Sequence, residues 1–131
     1  DNRRALDDAA TLNAACYMQV VGGLARGSKD LYEAREQVKY GIRQLLPHSR
    51  DVGVPIALEP LHPMTAADRS CLCTLRQALD WCDELDPDGE YGLGVAFTIS
   101  GGTRTSRIRS CGRESAFWPF TSQTGWCRPP I

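Results

Sequence analysis

The sequence predicts an α/β fold in which parallel strands alternate with helices along residues 1–96. Three short apolar runs, at 15–21, 54–58 and 91–97, are typical of buried strands. A helical pattern of apolar residues precedes each run, and the runs begin 39 and then 37 residues apart. Strands that alternate with helices form parallel sheets with right-handed crossovers. We therefore expect about three such units, followed by an irregular tail.

The first unit begins with a helix over 3–13 and continues with the strand ACYMQVV. Gly22 and Gly23 close this strand as a turn. The helix is indicated by apolar residues at helical spacing, which are Ala5, Leu6, Ala9 and Leu12.

The second unit begins at Asp30, which forms a capping box with Glu33. Pro47 and Gly53 are expected to end or distort the helix, and Pro55 fits the following strand only near its start or at a sheet edge. The apolar face of this long helix comprises Leu31, Ala34, Val38, Ile42, Leu45 and Leu46.

The third unit has a helix that Pro87 and Gly89 close, before the strand YGLGVAF. We interpret the six acidic residues between 80 and 90 as a solvated helix end and loop. The helix is indicated by apolar residues spaced three, four and three apart, which are Leu72, Leu75, Leu79 and Cys82.

Two architectures fit these units, a doubly wound open sheet or part of a (β/α)8 barrel. A whole barrel needs about 250 residues, and three strands cannot close one. The glycines after the first strand do not match the dinucleotide-binding pattern, and there is no Walker A lysine motif or nucleophile elbow. These absences weaken the nucleotide-binding interpretation of the open sheet.

Glu59 is the leading candidate for a functional residue. It follows an apolar strand, and in parallel α/β sheets ligands and catalytic groups collect at the carboxyl ends of strands. A carboxylate there can bind a hard divalent cation or act as a base. His62 lies three residues further, in a loop stiffened by prolines. The alternative is a solvated strand-end carboxylate beside a surface histidine.

Charge and cysteine content restrict the partners. Residues 1–96 hold 10 Lys and Arg against 15 Asp and Glu, a net charge of −5, which argues against a nucleic-acid surface. There is no apolar run long enough to span a membrane, and the charged first residues do not resemble a secretory signal. Because a secretory signal is not found, the six cysteines are interpreted as small apolar residues in a reducing, cytoplasmic compartment and not as disulfides. Cys71 and Cys73 lack the spacing and the second matching pair of a zinc site.

A composition break separates residues 97–131 from the rest. This tail has five Arg and one Glu, a net charge of +4, and no Leu, whereas residues 1–96 contain 13 Leu. Such a break normally marks a domain edge and a flexible tail. A non-enzymatic α/β binding module with a basic tail is therefore one alternative function.

The stretches NRRALDDAA, VVGGL, GSKDL, LLPHSRDVGVPIALEPLHPMTAADR and TLRQALDWCDEL resemble the xylose-isomerase-like TIM-barrel family over about residues 2–96. This resemblance implies a metal-dependent sugar or sugar-phosphate isomerase or epimerase, which moves a proton next to a carbonyl. It implies Glu59 as a metal ligand and catalytic base, with His62 and Arg69 in the loop facing a small sugar substrate. A hydrolytic relative, an AP-endonuclease-family-2-like phosphodiesterase, is the other enzymatic alternative.

The same resemblance implies a divalent ion (Mn, Mg, Co or Zn) held by two Glu, one Asp and one His. The Asp and His segments are missing here, because the chain reads GVAFTISGGTRTS where the Asp segment is expected. We therefore expect that this chain does not hold the ion and is inactive.

Back-translation suggests why these segments are missing. Codons permitted for 97–106, read from the third base, spell YHIWWDPDL, and those for 116–130 can spell ILAFHISDWLVPP in the same frame. Both resemble the missing family segments, in the right order. We interpret residues 97–131 as an out-of-frame, non-native tail.

Overall fold

A computed structural model of the chain describes residues 2–96, 105–107 and 117–119. Two short antiparallel strands, β4 (Thr105–Arg107) and β5 (Phe117–Pro119), pair with each other, and the rest of the predicted tail lies outside the described residues. No helix in the described ranges is long and apolar enough to cross a membrane. The elements before the tail are α1 (Asn2–Thr11), β1 (Tyr17–Gln19), α2 (Leu31–Val52), β2 (Ile56–Leu58), a 3-10 turn (Pro63–Thr65), α3 (Leu75–Leu85) and β3 (Gly94–Val95).

Strands β1, β2 and β3 form one parallel sheet in sequence order, which confirms the predicted fold class. The register pairs Tyr17 with Ile56, and Leu58 with both Gln19 and Val95. The strands are shorter than the apolar runs that predicted them, because only part of each run pairs. Pro55 lies immediately before β2, where its carbonyl accepts a hydrogen bond from the Tyr17 N–H at 2.8 Å.

All three helices pack on one face of this sheet, which decides between the two architectures. Outward side chains of the strands, Ile56, Leu58 and Val95, belong to one buried cluster with Leu6 of α1 and residues of α2 and α3. A doubly wound sheet carries helices on both faces, whereas a barrel carries them only outside. The fold is therefore a portion of a (β/α)8 barrel with an unclosed sheet.

Helix α2 begins at the predicted N-cap Asp30, but Ser28 takes the part that the predicted capping box gives to Glu33. The Asp30 carboxylate accepts hydrogen bonds from the N–H groups of Tyr32 and Glu33 at 2.8 and 3.0 Å. The Asp30 N–H donates to the Ser28 hydroxyl at 3.1 Å, in the place that a capping box gives to the glutamate. The helix continues through Pro47 and ends at Gly53, whose φ of 71° is the left-handed conformation that glycine favours.

Helix α3 and the loop after it depart from the sequence analysis. The helix begins at Leu75 after the Thr74 cap, and Leu72 is buried in the preceding loop. The acidic stretch is not wholly solvated, because Asp86 is only 1% exposed. Its carboxylate accepts hydrogen bonds from the N–H groups of Tyr91 at 3.2 Å and Leu93 at 3.0 Å. The interpretation of this segment as a solvated end is wrong for Asp86.

Helices α2 and α3 are joined by ion pairs on their outer surface. The Lys39 ammonium lies 2.6 Å from Glu36 and 2.9 Å from Glu84, and Arg43 lies 2.8 Å from Glu84. The hydrogen bonds that Lys39 donates to Glu36 and then to Glu84 raise the pKa of Lys39, and the hydrogen bond accepted from Lys39 chiefly lowers the pKa of Glu84. Ionised Glu84 therefore stabilises the fold at pH values above its ordinary pKa of 4.5. This stabilisation is lost as the pH falls through the lower pKa that Glu84 has in the folded protein.

We expect Glu84→Gln to lower the free energy of unfolding at pH 7 by about 0.5 kcal/mol, since partly exposed ion pairs contribute little. The difference from wild type should disappear on acidification well below the ordinary pKa of Glu84. Urea denaturation at pH 7 and pH 3 measures both. Glu90→Gln is the control, because that carboxylate is 60% exposed and lies 3.7 Å from Arg50. An equal deficit for Glu84→Gln at both pH values would contradict the electrostatic origin.

Candidate functional site at the carboxyl edge of the sheet

Glu59 lies directly beyond the carboxyl end of β2, as the sequence predicts. Its N–H donates to the Gln19 carbonyl at 3.0 Å, which continues the ladder with β1 by one residue. By strand alternation, Glu59 shares the face of Ala57, opposite the helices. This is the face that forms the interior of a barrel, and the Glu59 side chain there is half-buried.

The loop after β2 is closed at its base by a backbone hydrogen bond. The Leu61 N–H donates to the Leu72 carbonyl at 3.0 Å. Within the loop, the Thr65 carbonyl accepts hydrogen bonds from the N–H groups of Arg69 at 2.9 Å and Ser70 at 3.2 Å. The loop that carries His62 and Arg69 is therefore an ordered turn structure.

His62 caps the 3-10 turn of this loop. Its Nδ1 accepts a hydrogen bond from the Met64 N–H at 3.2 Å. A ring nitrogen that accepts carries no proton, so in the neutral ring the proton lies on Nε2. His62 is exposed, and its Nε2–H is the polar group it can offer to a ligand. Nδ1 is unsuited to metal binding because the cap uses its lone pair.

The loop after β1 docks against the loop after β2 through backbone groups. The Cys71 N–H donates to the Gly22 carbonyl at 2.7 Å, and the Leu24 N–H donates to the Ala67 carbonyl at 2.9 Å. Between these bonds, a Cβ on Gly23 would lie 2.7 Å from the carbonyl carbon of Ala67. The two loops are therefore one rigid unit at the carboxyl edge, and this unit carries the exposed Arg69.

Cys71 and Cys16 lie in buried or half-buried environments. Cys71 is buried, and its carbonyl accepts a hydrogen bond from Arg35 Nε at 3.1 Å. Burial raises the pKa of the Cys71 thiol, as it does for half-buried Cys16. Raised thiol pKa values oppose the thiolate form that metal ions bind. The sequence-based rejection of a metal pair at Cys71 and Cys73 stays a prediction.

The described residues do not supply the ligand set of a divalent ion around Glu59. Within residues 2–96, no group of three or more His, Cys, Asp or Glu side chains converges. Hard divalent ions take about six or more oxygen ligands, and one carboxylate supplies at most two of them. β3 ends beside β2 at Val95 and continues into buried Ala96, which has no donor side chain. In this part of the chain, Glu59 therefore belongs to no such group.

Sequence reasoning missed two residues that shape this edge. The sequence predicts that Gly23 closes a strand, and the structure adds that it permits the close approach of two loops. A glycine pair directly after a strand was the available signal, since glycine often marks such an approach. Asp86 fixes the segment leading into β3 beside β2, and no sequence pattern distinguished it from its exposed acidic neighbours.

The parallel strands carry helices on a single face, and a carboxylate follows the second strand. This arrangement defines a portion of a TIM barrel, in which the loops after the strands form the functional edge. The profile of the xylose isomerase-like TIM barrel family matches residues 1–99. The chain belongs to this family, which confirms the resemblance identified in the sequence. No curated protein matches the chain.

A solved structure supports the same assignment. The crystal structure of protein SMc04130 from Sinorhizobium meliloti 1021 is 57% identical to this chain, with a TM-score of 0.69. The similarity covers 74% of this chain and 34% of that one. The chain therefore spans about a third of the length of that neighbour.

Proposed function

We propose that this chain is part of a divalent-metal-dependent sugar or sugar-phosphate isomerase or epimerase, and that it is inactive as it stands. The observation that carries the proposal is Glu59, a carboxylate at the carboxyl end of a barrel strand in a member of this family. A carboxylate at this edge suits proton transfer next to a carbonyl. His62 and Arg69 offer an N–H donor and a cation on the adjoining loop, both suited to sugar hydroxyl or phosphate oxygens.

The proposed inactivity rests on the missing Asp and His metal ligands expected of the family. A change of reading frame would explain why these ligands are missing. The family profile stops at residue 99, next to the composition break at 97. Codons permitted for the tail, read in the shifted frame, can spell segments that resemble the Asp and His segments expected of the family. We propose that a non-triplet change near residue 97 removed those ligands from the protein.

The test is to sequence the source gene across codon 97 and to express the full-length protein in the restored frame. We expect metal-dependent aldose–ketose exchange or epimerisation from the restored protein and none from the 131-residue chain. Glu59→Gln should lower kcat/KM of the restored protein by roughly 10²–10⁴-fold, the usual contribution of a general base. Arg76→Gln is the matched control, because Arg76 is exposed in the first turn of α3.

Three results would overturn parts of this proposal. An intact frame in independent reads would exclude the frame change, and enzyme-like turnover by the 131-residue chain would exclude its inactivity. Cleavage at abasic DNA sites without sugar turnover by the restored protein would favour the phosphodiesterase alternative. Salt-dependent nucleic-acid binding that is lost on deleting residues 97–131 would favour the binding module with a basic tail.

A further inference from the structure

The two loops that dock at the carboxyl edge carry three cations without counter-ions. The first loop, residues 20–29, follows β1 and holds Arg26 and Lys29, and the second loop, residues 60–70, follows β2 and holds Arg69. All three side chains are exposed, and within residues 2–96 none of them has a carboxylate at ion-pair distance. The cations that do form ion pairs lie on α2, and they are Lys39, Arg43 and Arg50.

Arg26 is held at the tip of a tight turn. The Ser28 N–H donates to the Ala25 carbonyl at 2.9 Å, which closes a β-turn with Arg26 and Gly27 at its centre. Gly27 has a φ of 85°, as the third position of a type II turn requires. The backbone at Arg26 is therefore fixed, and only its side chain is free to move.

The docking of the two loops brings Arg26 and Arg69 to the same place on the edge. The Leu24 N–H donates to the Ala67 carbonyl at 2.9 Å, so these two residues are in contact. Arg26 lies two residues beyond Leu24, and Arg69 lies two residues beyond Ala67. Two residues of chain span at most about 7 Å. Because arginine side chains are long and flexible, both guanidinium groups can reach one anion.

The acidic groups nearby do not neutralise this cluster. Residues 20–29 and 60–70 together hold three cations against one acid, Asp68, a net charge of +2, whereas residues 1–96 as a whole carry −5. Asp30 lies just beyond the first loop, and its carboxylate accepts the N–H groups at the start of α2. The helix N-terminus is therefore already capped, and an anion at this edge is left to the side chains.

We propose that Arg26 and Arg69, with Lys29 beside them, form a subsite for the phosphate group of a phosphorylated sugar. A guanidinium donates two parallel hydrogen bonds to phosphate oxygens, which gives such a pair both strength and orientation. The subsite lies at the edge that carries Glu59, so it holds the phosphate end of a substrate whose carbon chain extends toward that carboxylate. For the sugar part, this inference rests on the proposed function, and it narrows the substrate class to phosphate esters.

The first test titrates the 131-residue chain with inorganic phosphate at constant ionic strength. Nuclear magnetic resonance of the arginine Nε–H groups is the readout, and we expect saturable shifts at Arg26 and Arg69. Arg26→Gln and Arg69→Gln should each weaken phosphate binding about tenfold, the loss of one charge-assisted contact. Lysine at either position should restore part of the affinity, because it keeps the charge without the fork.

Arg50→Gln is the matched control. It removes the same charge from the last turn of α2, at the opposite edge of the sheet, and should leave phosphate affinity unchanged. Shifts that rise without saturation, or an equal loss of affinity in Arg50→Gln, would overturn the subsite. Dispersed amide signals from Leu24 and Cys71 report that the loops are docked. If the chain lacks these signals, the same titration of the full-length protein in the restored frame decides by the same criteria.

The second test separates the subsite from the proposed function. In the restored protein, we expect kcat/KM to be higher for a phosphorylated sugar than for the same sugar without phosphate. Arg26→Gln should reduce this preference about tenfold, chiefly through KM. Equal turnover of the two sugars would overturn the phosphate assignment and leave the isomerase proposal standing. Saturable phosphate binding without turnover of either sugar would support the subsite and overturn the proposed function.

Discussion

Replacing Asp86 with Ala is expected to lower the free energy of unfolding by about 3 kcal/mol, because it leaves two inward N–H groups without an acceptor. The carboxylate is 1% exposed and receives hydrogen bonds from the N–H groups of Tyr91 and Leu93. Leu93 is fully buried, so water cannot readily replace the carboxylate at its N–H. Urea denaturation of the two proteins measures the difference.

Asn at this position separates shape from charge. Asp86→Asn keeps the size of the side chain, but its single amide oxygen can occupy only one of the two acceptor positions, and its NH₂ then opposes the second N–H donor. We expect about half the loss seen for Asp86→Ala, on the order of 1.5 kcal/mol. Asp88→Ala, in the same loop and exposed, should change stability by less than about 0.5 kcal/mol. Equal small effects at both positions would show that the Asp86 contacts carry little energy.

Gly23→Ala is expected to separate the two loops at the functional edge and to cost about 2–3 kcal/mol, in the range of overpacked sites. The added Cβ would lie 2.7 Å from backbone atoms of Ala67 and Asp68, which cannot rotate away as a side chain can. Hydrogen exchange provides the local readout. The amides of Leu24 and Cys71, which bridge the loops, should lose protection before the rest of the sheet.

Gly41→Ala is the control for the glycine substitution. Gly41 lies inside α2, and a Cβ there meets nothing within 4 Å. Alanine is the better helix former, so this variant should be more stable by up to about 1 kcal/mol. Retained protection of Leu24 and Cys71 in Gly23→Ala would contradict the role given to this close approach.

The order and type of the elements were predictable because they depend on local patterns. Apolar residues three and four apart marked the helices, and the capping position of Asp30 and the left-handed end at Gly53 follow from their own chemistry. The helix start was less predictable in α3. Leu72 continues the apolar spacing of the helix, but it is buried in the loop before the helix begins. A buried apolar residue has the same pattern in the sequence whether it lies in a helix or in the segment before it.

The candidate site was predictable only in part. Glu59 follows from its place after a buried strand, and the structure puts it at the carboxyl edge of the sheet. The roles of Glu59, His62 and Arg69 remain predictions. The cap that His62 forms with Met64 depends on the path of the loop, which the two flanking prolines restrict without specifying.

The sequence by itself determined the alternation of helices and strands, the carboxylate at a strand end and the composition break at residue 97, because each is a property of neighbouring residues. Only the tertiary structure decided that the helices share one face of the sheet and that Asp86 is buried. It also decided that the backbones of two loops come into close contact at Gly23. These features depend on what packs against a residue from distant parts of the chain. Periodicity gives the face a residue occupies, whereas the partner on that face is set by the fold.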